Sequence, residues 1–238
     1  MYIAFLILLV IWAIVINILD ALPSKKSKDD GDTEKARCKS YIKTLPYFWG
    51  PALVVLILSF IGGISFADLG FRPISFNENV WFTVITLVVS ALAFAYFVGY
   101  LILTLTSAKF REKQAADPAA AQDFPRTAKE RKAFALLNFS SAICEEMIFR
   151  GFAAFLLQAV FPGIPILLII LITGAAFGLV HIYQGLAGII ETGISGMLLM
   201  ALFLASGSLI LPMILHFVIN LSITFILSKE QGGLNAKS

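Results

Sequence analysis

Charge is what this sequence has least of. Asp, Glu, Lys and Arg make up 14% of its 238 residues, against about 25% in an ordinary soluble domain. Mean hydropathy is +0.89, so a water-soluble globular chain is excluded. Cysteine is scarce as well. Cys38 falls in a polar stretch and Cys144 inside an apolar one, which leaves no disulfide framework. The ~10-residue alternating segments of a transmembrane barrel are missing. A net charge of +3 is too small to mark a nucleic-acid partner.

What the chain does have is long apolar runs. A helix needs roughly 20 apolar residues to cross the ~30 Å hydrocarbon core at 1.5 Å per residue. Stretches near 2–19, 49–66, 81–106, 133–160, 164–183, 186–205 and 208–227 qualify. They predict an all-α fold, a polytopic transmembrane helical bundle of about seven spans. The first stretch opens Met1-Tyr2-Ile3 with no basic segment and no small-residue cleavage site, so it reads as a retained anchor.

The basic residues orient these spans. Of 18 Lys and Arg, seven lie between residues 20 and 48 and seven between 107 and 132. The 67–80 loop holds Arg72, and the tail holds Lys229 and Lys237. The positive-inside rule makes both basic loops and the C-terminus cytoplasmic, with the N-terminus outside. The 20–48 loop mixes both signs of charge and reads as solvated and disordered. Asp117-Pro118 and the alanines after it read as a cytoplasmic linker. Thr127-Ala128-Lys129-Glu130 then fits a capping box, which starts the fourth helix near Ala128. Glu145 lies 17 residues further on, about 25 Å along an unbroken helix and well inside the membrane. Trp49 and Trp81 sit at span ends as interface anchors.

Removing the loops leaves Arg150, Glu145, Glu146, Glu191, His181 and His216 within predicted spans, all in the C-terminal half. A charge at the bilayer centre costs about 2.5–3.5 kcal/mol on insertion scales. Such side chains need partners or a wet cavity. Glu146 and Arg150 are four apart with the acid first, the better orientation for a helical pair. Glu145 is rotated about 100° from Glu146 and faces elsewhere, where a carboxylate suits general-base work. His216 and Asn220 are also four apart, and their N–H groups could face a developing oxyanion. Each feature also has a plain structural reading, as a buried polar cluster or a helix–helix hydrogen bond. Their origin on three separate helices favours one shared site.

Taken together, Glu145-Glu146-x-x-x-Arg150, Phe177-x-x-x-His181 and His216-x-x-x-Asn220 resemble the three motifs of the CPBP intramembrane proteases. That family includes type II CAAX prenyl endopeptidases and bacterial Abi relatives linked to bacteriocin immunity. Phe149-Arg150-Gly151 and Gly207-Ser208-Leu209 agree with it, and the likeness covers about 127–227. The resemblance implies a glutamate-dependent peptidase inside the membrane, acting on a membrane-associated or lipidated peptide. Glu145 would activate water with His181, and His216 and Asn220 would hold the oxyanion. Glu146, Arg150 and Phe177 would support the site. If a metal such as zinc takes part, Glu145, His181 and His216 are its candidate ligands, although there is no HExxH and no spacing demands one. The chain then divides into an N-terminal three-span region (1–126), a CPBP-like four-helix core (127–228) and a cytoplasmic tail (229–238). The cell membrane is the expected location, with the site reached from the cytoplasm.

Three other readings compete. Gly193-Ile194-Ser195-Gly196 matches a rhomboid-type GxSG nucleophile motif with His216 on the next helix, but small-residue patterns are common at membrane helix contacts. Intramembrane Glu and His residues also serve proton-coupled transporters, yet no inverted repeat or paired broken helices appear. A catalytically silent immunity or binding protein is the third. Glu191 reads as tuning packing or cavity polarity, and Cys144 as an inert buried thiol.

Overall fold

The computed structural model describes residues 1–21, 33–107, 125 and 127–228, and among them there is helix and no strand. In chain order these are α1 (Tyr2–Ala21), α2 (Glu34–Gly62), α3 (Val80–Thr106), α4 (Ala128–Glu145), a π-helical segment (Glu146–Phe152), α5 (Ala153–Val160), α6 (Ile166–Leu179), a 3₁₀ turn (Ile182–Gln184), α7 (Gly185–Ser206) and α8 (Ile210–Ser228). With α4, the π segment and α5 taken as one rod, they occupy the seven apolar stretches. Glu34–Gly62, Val80–Leu103 and Ile182–Ser206 are long and apolar enough to cross a membrane, and Tyr2–Val15, Ile166–Leu179 and Ile210–Ser222 are shorter apolar helices. The chain is an integral membrane protein.

Two expectations need correcting. Helix α2 starts at Glu34 and not near residue 49, so much of the polar 20–48 segment is ordered helix. Thr33 Oγ1 accepts from the Ala36 amide at 3.2 Å, as an N-cap does, and Arg37 anchors the first turns from outside. The fourth stretch, in turn, is not one α-helix, because its middle is wound as a π-helix. Residues 22–32, and most of the 107–126 linker, lie outside the described residues.

The chain folds into two compact units, each drawing on residues from both sides of position 126. One comprises 27–49, 91–142 and 214–238. Here the predicted capping box is formed: Thr127 N donates to Glu130 Oε2 at 2.9 Å, and Glu130 N donates to Thr127 Oγ1 at 3.2 Å. The other Glu130 oxygen accepts from Arg37, with Nη2 at 2.8 Å and Nε at 2.9 Å. Glu130 is fully buried. Beside it Tyr41 packs edge-on to Phe134, ring centroids 5.0 Å apart. One carboxylate thus starts α4 and fastens it to α2. Glu130→Ala should cost about 2–3 kcal/mol, since a cap and a hydrogen bond to a charged partner go together. Glu130→Gln keeps an acceptor for the cap and should cost less; urea unfolding in detergent would read the order.

The second unit comprises 1–26, 50–90 and 143–213. Rings fasten α1 onto the rod: Tyr2 on Phe155 at 5.4 Å, Phe5 on Phe152 at 6.4 Å and Trp12 on Phe149 at 6.1 Å. Helices α6 and α7 pack through a glycine seam. A Cβ on Gly178 would stand 2.5 Å from the Ile189 carbonyl oxygen, and one on Gly196 would stand 3.3 Å from the α-carbon of Gly174. Bare backbones can approach this closely, and van der Waals contact then replaces the hydrophobic drive that lipid does not provide.

Candidate active site

The site begins where α4 stops. Glu146 to Phe152 wind as a π-helix, and the Ala153 amide closes its last turn on the Ile148 carbonyl. All seven π residues are buried. Such wide turns are uncommon and concentrate at functional sites. Glu145 is the last residue before the change and is half-buried.

Within the π segment Arg150 Nη1 meets Glu146 Oε1 at 3.0 Å, and both side chains are at most 1% exposed. The four-residue spacing predicted this pair, although an α-turn was expected. Arg150 Nη2 donates to the Gly196 carbonyl of α7 at 3.4 Å. Its guanidinium carbon lies 4.3 Å from the centre of the Phe177 ring, within cation–π range. Phe149 meets the same ring edge-on at 5.2 Å.

Phe177 in turn positions His181. The ring centroids are 4.7 Å apart, and His181 Nδ1 lies 2.7 Å from the Phe177 carbonyl oxygen. A carbonyl can only accept, so Nδ1 carries a proton and donates it there, which leaves Nε2 as the ring nitrogen not engaged by Phe177. Helix α6 ends at Leu179 and the chain turns back into α7, which leaves His181 half-buried in the turn. Glu146, Arg150, Phe177 and His181 are therefore one chain of contacts within one unit.

His216 and Asn220 belong to the other unit, on α8. His216 is buried. Asn220 Nδ2 donates to Ser141 Oγ at 3.2 Å, and that hydroxyl donates to the Asn138 carbonyl at 3.0 Å. Ser141 was not among the sequence candidates. Glu191 is exposed and Cys144 fully buried. Ser195 is half-buried between two glycines whose neighbours are the α6 backbone and the Phe177 ring. No group of three or more His, Cys, Asp and Glu side chains able to hold a metal occurs among the described residues. A catalytic zinc takes three protein ligands; of the three candidates, Glu145 and His181 lie in one unit and His216 in the other.

Gly151 is a second residue whose importance the sequence understates. A Cβ there would collide with the Leu69 backbone carbonyl. The loop that carries Leu69 cannot easily withdraw. Ser75 N and Asn77 N donate to the Ser206 and Ala205 carbonyls, and Leu209 N donates to the Gly70 carbonyl, each at 2.9 Å. Gly151→Ala should therefore cost about 1–3 kcal/mol by overpacking, read as a lower unfolding midpoint. Ala154, equally buried three residues on, carries a methyl where Gly151 can carry none.

Residues 129–222 match the family model Rce1-like, described as Type II CAAX prenyl endopeptidase Rce1-like. No curated protein and no solved structure matches the chain. The matched segment runs from the first turn of α4 into α8 and contains every candidate residue named above. Helices α4 to α8 of this membrane protein therefore carry the sequence pattern of the Rce1-like type II CAAX prenyl endopeptidases, a family of membrane proteases.

Proposed function

We propose that this protein is an intramembrane, glutamate-dependent endopeptidase that hydrolyses a peptide bond of a membrane-associated or lipidated substrate. The observation that carries this reading is the division of the two acids. Glu146 is sequestered against Arg150, while its neighbour Glu145 ends α4 half-buried, in the unit where the Arg150–Phe177 contact positions His181. Glu145 takes a proton from water, and His181 Nε2 helps orient that water. The hydroxide formed attacks the scissile carbonyl. Glu145 then returns the proton to the leaving amine, so the carboxylate is regenerated. His216 and Asn220 stabilise the oxyanion; that role rests on the His216-x-x-x-Asn220 motif. No step runs through a metal.

Residues 127–228 are the proposed catalytic part. By the positive-inside rule the two basic segments support a cytoplasmic C-terminus, an outer N-terminus and a site reached from the cytoplasmic side of the cell membrane in a seven-span arrangement. The test compares new protein N-termini in membranes carrying the wild type and Glu145→Gln. Substrate-derived N-termini should appear with the wild type alone. Identical sets from both proteins would overturn the assignment, and loss with Ser195→Ala alone would transfer it to a serine nucleophile.

A further inference from the structure

At the far end of α6 from His181 the protein holds a cavity. Ile166, which begins α6, lines it. Ile166 and His181 are 15 residues apart in sequence, roughly 20 Å along the helix. The cavity has a volume of about 560 Å³, within the ~300–1,000 Å³ of small-ligand sites. Its polar wall is Asp68, Arg72, Asn77 and Gln158, and Phe155 and Phe203 contribute to its apolar wall. None of these residues belongs to the groups proposed for peptide hydrolysis.

Both charges in this wall are held in place. Asp68 Oδ2 accepts from the Ser65 hydroxyl at 2.6 Å and from its amide at 2.9 Å. These bonds, hydroxyl first, hold the carboxyl below its usual range, and Arg72 adds to the effect. Arg72 Nε donates to the Gly207 carbonyl at 2.6 Å, and Ser208 Oγ donates to the Arg72 carbonyl at 2.6 Å. A guanidinium fixed in this way recognises phosphate oxygens better than a mobile ammonium could. Around the cavity the chain reversals at 63–79, 161–165 and 207–209 all lie at helix ends. Trp81 is 77% exposed and Phe66 66% exposed beside them. That is an interfacial setting, at the level of lipid headgroups.

We propose that this cavity binds one aminophospholipid from the bilayer, with its phosphate on Arg72, its primary ammonium on Asp68 and the start of an acyl chain against Phe155 and Phe203. Asn77 and Gln158 face the ester oxygens. A purely anionic headgroup would set its charge against the Asp68 carboxylate. A choline headgroup offers no N–H to that carboxylate. The apolar wall would remain uncovered by a soluble phosphoethanolamine.

The test is native mass spectrometry of the delipidated full-length protein in detergent. It is titrated with phosphatidylethanolamine, phosphatidylcholine or phosphatidylglycerol of equal chain length, and separately with phosphoethanolamine and inorganic phosphate. Phosphatidylethanolamine should bind roughly tenfold or more tightly than each other probe. Arg72→Gln and Asp68→Asn should each remove that preference. Because Arg72 also ties down Gly207, Ala159→Phe supplies a variant that narrows the cavity and leaves its polar groups in place, and it should weaken retention. Equal binding of the three lipids, or undiminished binding by Ala159→Phe, overturns the proposal. Binding of phosphoethanolamine as tight as that of the lipid overturns the membrane source.

Discussion

Glu145→Gln should lower turnover by about 10²–10⁴-fold while leaving the unfolding midpoint close to that of the wild type. Glutamine matches glutamate in shape and cannot take a proton from water. Its stability effect should be small because Glu145 is half-buried and glutamine keeps the volume and a hydrogen-bonding oxygen of the side chain. His181→Ala should lower turnover as well, by removing the nitrogen that the Phe177 carbonyl orients. The two losses should not add, since in the proposed mechanism both act on one proton transfer. A reconstituted assay with a membrane peptide, run beside a thermal melt of the same preparations, measures both quantities. Wild-type turnover in Glu145→Gln would end the mechanism, whatever the melt shows.

Arg150→Met should have the largest effect on stability, about 3–5 kcal/mol, because it leaves the Glu146 carboxylate buried without its counter-charge. Several supports fail together: the 3.0 Å ion pair, the bond to Gly196 and the cation–π contact with Phe177. The paired change Glu146→Leu with Arg150→Met should recover most of that loss, because well-packed apolar groups can replace a buried pair at little net cost. Recovery of stability should not restore activity in full, since Phe177 no longer has a guanidinium to hold it beside His181. Detergent-denaturant unfolding separates the single from the double variant. A single variant as stable as the wild type would show that the pair does not hold the π segment.

Features that depend on neighbours along the chain were legible in the sequence. Run length decided which segments are helical in a bilayer, since each must satisfy its own backbone there. Spacing decided the Glu146–Arg150 pair and the Thr127–Glu130 capping box, because four residues and three residues return to the same side of a helix start. The early start of α2 was not legible, because Arg37 and Glu130 are 93 positions apart and only folding brings them together. The same holds for the cavity at the start of α6, whose Arg72 reaches Gly207 across 135 positions.

The π winding was hidden for a different reason. Shifting hydrogen bonds from four to five residues back changes no residue type, and its cost is met by what packs around the rod. Thus the clustering of intramembrane charge could be read from composition and spacing alone. Spacing had already given Arg150 to Glu146; packing in three dimensions decided how completely that pair is buried and which ring lies against its guanidinium. It did so through contacts with α6 and α7 that no local pattern encodes.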